Sequence, residues 1–264
     1  MLLSLSSSFA GPILESKSTL EAAPSLTGPR QIFLHDSDTL EVQAHFQTGV
    51  NAVAEGNLFW DLARLATGNN TFDADAEWLE SYVEPGLSFE TQVEPGLDFF
   101  GKISAVASYT SGTDAFDEGD TGRVTLEEGF LGFRFDVVQG WEMEASAGAR
   151  TLRLGTGMLV ANGGADGFER GALKFGPREA WEMSGIVQLK RDGFKATGFF
   201  LDANEMASND TRTEIAGFDL RWDGENGQFL GLSYLHVPQS LAPYPQAAPG
   251  GIGAPSVNLG AREG

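Results

Sequence analysis

Polar and apolar residues alternate along a stretch that begins near Glu41. One face of this stretch carries small and apolar residues, Val42, Ala44, Phe46, Thr48, Val50 and Ala52, and the other carries Glu41, Gln43, His45, Gln47 and Asn51. A period of two predicts a β-strand with one apolar and one polar face. The pattern lasts for roughly twelve residues, about the length that a tilted strand needs to cross a bilayer.

The same alternation recurs along the chain, for example where Leu131, Phe133 and Phe135 alternate with Arg134 and Asp136. It predicts nine strands, near residues 41–53, 77–91, 97–110, 122–137, 141–154, 180–190, 194–203, 213–222 and 228–237. Most of them are longer than the strands of soluble sandwiches. We therefore predict an all-β fold, an antiparallel transmembrane β-barrel.

Short and long connections alternate between the predicted strands. The short ones lie at residues 93–96, 138–140, 191–193 and 223–227, and the longer ones at residues 54–76, 111–121, 155–179 and 204–212. Outer-membrane barrels have short periplasmic turns and long external loops, which this order matches. Aromatic residues near strand ends either form the girdles of such a barrel or pack under loops: Trp78, Tyr82, Tyr109, Trp141, Trp181 and Trp222.

The odd number of predicted strands bears on domain organisation. Bacterial single-chain barrels have an even number, and an open sheet would leave unpaired edges in lipid. We therefore expect an incomplete barrel domain over residues 39–264, or a count that is off by one. Residues 1–38 are expected to form a leader or an irregular segment. Residues 1–12 are moderately apolar, as in a signal peptide, but they lack the basic start of one, since the first Lys or Arg is Lys17.

Composition narrows the function classes. The net charge of −20 argues against general nucleic-acid binding, which needs a basic surface. The absence of Cys excludes disulfides and thiolate metal sites. No apolar run is long enough for a transmembrane helix. A membrane β-barrel is not excluded by this, because its strands alternate polar and apolar residues.

The stretch from Trp141 to Arg178, WEMEASAGARTLRLGTGMLVANGGADGFERGALKFGPR, resembles the alginate export family of outer-membrane porins. In that family a strand ending in a similar arginine- and glycine-containing run leads into a Gly-rich loop that ends in GPR. The segments SYVEPGLSFE, SYTSGTDAFDEGDTGRVTLEEGFLGFRF and APGGIGAPSVNLGAREG are also similar to the family. The resemblance covers about residues 40 to 264.

The resemblance implies an eighteen-stranded barrel in the bacterial outer membrane, of which nine strands would be half. It implies passive diffusion of an anionic, alginate-like polysaccharide or of small anionic solutes. The implied partners are the outer-membrane lipid bilayer, that polysaccharide or those solutes, and a periplasmic export machinery. The sequence departs from the family in lacking the second half and a C-terminal aromatic residue, since it ends Arg262-Glu263-Gly264.

A pore for a polyanion needs fixed positive charge in its lumen, and arginine binds carboxylates in bidentate fashion. The candidate substrate-binding residues lie on the polar face of the strands or in the Gly-rich loop: Arg134, Arg150, Arg153, Arg170, Lys174, Arg178 and Arg221. The alternative is a structural ladder, because Glu128, Asp136, Glu142, Glu144, Glu182 and Asp219 can pair with the same bases.

Acidic loops raise the question of calcium. Asp73, Asp75 and Glu77 alternate, and Asp114, Asp117, Glu118 and Asp120 cluster, but the second group fails as an EF-hand because Phe116 and Thr125 stand where oxygen ligands are needed. Solvated loop charge is the simpler interpretation, so we expect no metal and no cofactor. The competing functions are a calcium-dependent surface module that binds carbohydrate and a non-functional porin fragment.

Signals of an enzyme are few. The three histidines have no metal-ligand spacing, and no nucleophile-elbow or phosphate-binding motif occurs. The carboxylate pairs Glu127–Glu128 and Glu142–Glu144 could in principle serve a glycosidase. Adjacent strand residues face opposite ways, however, which argues against the first pair. We therefore expect a channel and no catalytic residues.

Overall fold

The computed structural model describes residues 30–56, 75–116, 118–138, 140–224, 227–246, 256–258, 260–261 and 263–264. Over these residues the chain is all-β apart from one four-residue helix, α1 (Gly167–Arg170). No helix in this part of the chain is long and apolar enough to span a membrane.

Ten strands form one antiparallel sheet in the order of the sequence. They are β1 (Arg30–Asp36), β2 (Leu40–Glu55), β3 (Ala76–Glu94), β4 (Leu97–Gly112), β5 (Gly122–Asp136), β6 (Glu142–Arg150), β7 (Trp181–Arg191), β8 (Phe194–Asp202), β9 (Glu214–Asp223) and β10 (Phe229–Gln239). Two short strands, β11 (Tyr244–Gln246) and β12 (Ser256–Asn258), pair separately. In the described part of the chain β1 and β10 do not pair with each other, so the sheet is open.

All nine strands predicted from the alternation are present, which confirms the all-β antiparallel fold. The largest difference is at predicted strand 141–154, which ends as β6 at Arg150. Leu152 and Leu154 continue the alternation, but they lie beyond the end of β6 and are buried in a hydrophobic cluster with Phe199. Local periodicity cannot distinguish a leucine buried within a strand from one buried in the segment that follows the strand.

The predicted count of nine was wrong by one strand. β1 lies within residues 1–38, which the sequence assigned to a leader or an irregular segment. Its run Ile32-Phe33-Leu34 does not alternate, and its strand conformation depends on pairing with β2, where Ile32 lies opposite Ala44. Because ten is even, the argument from an odd count no longer supports a missing half.

The two faces of the sheet differ in polarity. The face that contacts residues 151–180, here called the covered face, buries charged and polar side chains such as Glu80, Glu144 and Asp219. The opposite face, here called the apolar face, exposes large hydrophobic side chains on β2 to β5 and β7 to β10: Phe46, Val50, Leu79, Val83, Leu87, Ile103, Leu126, Leu131, Phe133, Val187, Phe200, Phe218, Leu230 and Leu232. This distribution is the reverse of that in a water-soluble sheet, whose hydrophobic face packs on a core.

Candidate functional site

The covered face carries a network of ion pairs centred on Glu144. Its carboxylate lies 2.8 Å from Arg150 Nη2, 3.2 Å from Lys190 Nζ and 3.7 Å from Arg134 Nε. Arg134 also pairs with Glu90 at 2.8 Å. The side chain of Glu144 is only 3% exposed, so three cations share one buried carboxylate. Two of the predicted binding residues, Arg134 and Arg150, therefore belong to a structural ladder.

Residues 151–180 follow β6 and lie against the covered face as an in-folded segment. Buried carboxylates on the strands hold its backbone. Glu127 Oε1 accepts hydrogen bonds from the N–H groups of Glu179 (2.7 Å) and Ala180 (2.9 Å). Glu80, which is fully buried, accepts from the Lys174 N–H at 2.9 Å and 3.0 Å. Hydrogen bonds to charged groups are among the stronger ones, so the segment is fixed to the sheet.

Apolar packing fixes the first part of the in-folded segment. Leu152, Leu154 and Val160 form the hydrophobic core cluster with four residues of β7 and β8, namely Trp181, Ile186, Phe199 and Leu201. Farther along, the ring of Phe175 meets the ring of Tyr82 edge-on, with 5.3 Å between centroids. The largest hydrophobic core of the described residues thus lies between the segment and the sheet.

A register shift in β5 places two adjacent carboxylates on the covered face. The pairing of β4 with β5 shifts between Ile103 and Ala105, opposite Glu127 and Glu128. Glu127 is 3% exposed and Glu128 is 6% exposed. The prediction that these two residues face opposite ways was therefore wrong, because a β-bulge adds one residue to a strand. Glu128 forms an ion pair with Lys102, and Glu127 holds the in-folded segment.

Arg170 and Arg178 lie in the in-folded segment and are buried. Arg170 donates to Asn204 Oδ1 at 2.9 Å, and Arg178 donates to Ser108 Oγ at 2.6 Å and to the Gly171 carbonyl at 2.7 Å. Burial lowers the pKa of Arg170, and it lowers that of Arg178 to about 10. These contacts make both arginines anchors of the segment.

The other predicted binding residues have separate environments. Lys174 Nζ pairs with Glu55 at 2.6 Å, and Arg221 pairs with Asp223 at 2.7 Å. Arg153 is exposed and donates to the Thr156 carbonyl at 2.7 Å. The structure therefore distributes the seven predicted residues over several environments of one face and its covering segment, and it does not gather them into a single pocket.

Three cations occupy neighbouring positions across β7, β8 and β9. Lys190 lies directly opposite Lys195, and Lys195 lies directly opposite Arg221. We call these three residues the cation row. Lys195 was not among the predicted residues, since its register against the neighbouring strands cannot be read from the local sequence. Gly155 of the in-folded segment lies beside the row, where a Cβ on that glycine would be 3.9 Å from Arg221 Nη1.

Of the acidic loop residues, Asp73 and Asp117 lie outside the described residues. Asp114 is buried, and its Oδ1 accepts hydrogen bonds from the N–H groups of Phe116 (2.8 Å) and Glu118 (3.2 Å). Burial raises its pKa above the ordinary value. In the described ranges no three acidic or histidine side chains come together in a way that could hold a metal ion.

The aromatic residues near strand ends divide between the two faces. Tyr109 and Trp222 are about half exposed, at 45% and 46%. Trp78, Tyr82 and Trp181 are instead buried, so a girdle role is wrong for these three. Trp181 is buried because Gly163 of the in-folded segment packs directly on its ring.

Comparison with models of protein families gives no match. Curated proteins likewise include none that matches the chain significantly.

Proposed function

We propose that this chain forms part of a bacterial outer-membrane β-barrel through which anionic solutes diffuse. The observation that carries the proposal is the reversed polarity of the sheet, which buries Glu80, Glu144 and Asp219 on one face and exposes Leu131 and Leu232 on the other. Exposed apolar surface of this extent is costly in water and favourable in hydrocarbon. Long strands with paired backbones also meet the requirement that lipid imposes on polar backbone groups.

The anionic solute is supported by the basic residues of the covered face and by the resemblance to the alginate export family. An alginate-like polysaccharide or smaller anions are the proposed solutes. Closure of the barrel is part of the proposal, since β1 and β10 have open edges in the described chain. An eighteen-stranded barrel, as the resemblance implies, would cover both edges with further strands.

Bromine-labelled phospholipids test the orientation of the sheet, because bromine quenches tryptophan fluorescence only at short range. Trp222 is 46% exposed and lies on the apolar face, directly opposite Leu230, whereas Trp78 is 4% exposed on the covered face. Trp141 packs against Phe194 on the same face as Trp222. In reconstituted vesicles we therefore expect Trp222→Phe to remove part of the quenchable signal. The matched variant Trp78→Phe should leave quenching in place. A protein that stays monodisperse without detergent and is not quenched would overturn the proposal.

Planar bilayers test transport directly. The reconstituted protein should give stepwise conductance, and a potassium chloride gradient should give a reversal potential with the sign of anion preference. Insertion with cation preference would contradict the proposed solute while leaving the barrel standing. Absence of any conductance from inserted protein would contradict the channel itself.

A further inference from the structure

We propose that the cation row of Lys190, Lys195 and Arg221 binds an oxyanion, either a carboxylate or a sulfate-like group. The inference rests on the proposed function for its role in transport, while the binding itself follows from the geometry of the row. The three residues lie directly opposite one another on β7, β8 and β9, on the same face as the buried Asp219 and Ile186.

Like charges directly opposite each other on antiparallel strands repel, because their Cβ atoms lie only about 5 Å apart. Two consecutive pairs of this kind occur here, Lys190 with Lys195 and Lys195 with Arg221. A bound anion would offset both repulsions at once. No other arrangement of the covered face in the described residues gives three adjacent cations in register.

Lys195 differs from the other described lysines in its partners. Lys102 pairs with Glu128, Lys174 with Glu55, and Lys190 with Glu144. Among the described residues no carboxylate lies within ion-pair distance of Lys195 Nζ, although the side chain is partly buried. A partly buried ammonium group without a direct ion pair has lost part of its hydration and is only partly compensated by more distant carboxylates. This position is the one where an incoming anion gains most.

The flanking cations can contribute to the same anion. Arg221 donates from Nε and Nη2 to the Asp223 carboxylate, and because that side chain is 50% accessible the pair can exchange with ions from solvent. An oxyanion can therefore compete with Asp223 for the guanidinium group, which suits bidentate binding. Glu144 and Asp219 are the acidic neighbours of Lys195, and they limit the affinity to a level that lets a solute leave again.

Lysine side-chain NMR tests the site in detergent micelles. The chain has five lysines, Lys17, Lys102, Lys174, Lys190 and Lys195, so spectra labelled at lysine Cε and Nζ are simple enough to assign by substitution. The probes are sodium sulfate and sodium glucuronate, each titrated against sodium chloride at constant ionic strength. We expect saturable shifts at Lys195 and Lys190, with Lys102 and Lys174 unchanged.

Variants make the test specific. Arg221→Gln should weaken binding several-fold, and Arg123→Gln, which removes the same charge from an exposed site outside the row, should not. Saturation with glucuronate alone would identify the group as a carboxylate, and saturation with sulfate as well would identify a general oxyanion site. Equal, non-saturating shifts at all lysines would overturn the inference. Since binding is measured in micelles, a negative result there is distinguishable from failure of the lipid-quenching experiment.

Discussion

The carboxylate of Glu127 holds the backbone of Ala180, whose N–H donates to Oε1 over 2.9 Å. The same oxygen accepts from the preceding N–H at 2.7 Å. These two hydrogen bonds fix the end of the in-folded segment immediately before β7 begins, and the carboxylate that makes them comes from a strand two places away in the sheet.

Glu127→Ala should release this end of the segment. Each lost hydrogen bond corresponds to roughly 0.5–1.5 kcal/mol, and a buried N–H group left without a partner costs about 1–3 kcal/mol. Limited trypsin digestion measures the release, because Arg170 and Arg178 are buried in the intact protein. We expect cleavage there to become faster, while the exposed control Glu182→Ala keeps the wild-type rate. Equal rates in both variants would show that Glu127 does not hold the segment.

Gly164 makes a close contact between two parts of the in-folded segment, near the end that leads into β7. A Cβ at this position would lie 2.1 Å from the Arg178 carbonyl oxygen. Gly164→Ala should therefore displace the segment and lower thermal stability measured by circular dichroism. Gly185→Ala is the matched control, because a Cβ there meets nothing within 4 Å. Equal stability of the two variants would contradict the close approach.

The sequence predicted the strands well because their alternation is local. It missed β1 because Ile32-Phe33-Leu34 has no period of two, and it missed the common face of Glu127 and Glu128 because a β-bulge depends on the partner strand. The candidate site was harder to predict for the same reason. Basic residues could be counted on the polar face, but which carboxylate neutralises each one depends on register between strands.

A charge on the apolar face should interfere with membrane insertion. Leu232 is 61% exposed on that face, and its neighbour Ser233 faces the other side, where its hydroxyl donates to Asp219. Leu232→Lys should cost up to about 2–4 kcal/mol if the position lies near the bilayer midplane. Ser233→Lys should insert more readily in a vesicle-folding assay monitored by heat-modifiable gel mobility. The reverse order would assign the faces the other way round.

Asp114 should make stability depend on pH. Because burial raises its folded pKa, the unfolded chain ionises first as pH rises through the ordinary value of 3.8. The folded loop is therefore relatively destabilised above that pH, and the effect is absent in stronger acid. Asp114→Asn keeps an oxygen that can accept from Phe116 and removes the charge. We expect a higher melting temperature than wild type at about pH 7 and a smaller difference at about pH 3. A difference independent of pH would exclude ionisation as the cause.

Glu144 should set the balance of charge on the covered face. Glu144→Gln removes one negative charge beside Arg150, Lys190 and Arg134 but retains an oxygen that can accept their hydrogen bonds. In the proposed channel the ratio of chloride to potassium permeability should rise, roughly two- to tenfold for one charge at this range. Reversal potentials in planar bilayers measure the ratio.

The control for this variant is Glu182→Gln, which removes the same charge from an exposed residue that has no cation partner among the described ion pairs. Its permeability ratio should stay close to the wild-type value. If both variants shift the ratio equally, the effect comes from overall charge and the covered face is not the solute path. A shift towards potassium in Glu144→Gln alone would mean that the freed cations bind chloride too tightly to let it pass, since conduction requires binding weak enough for release.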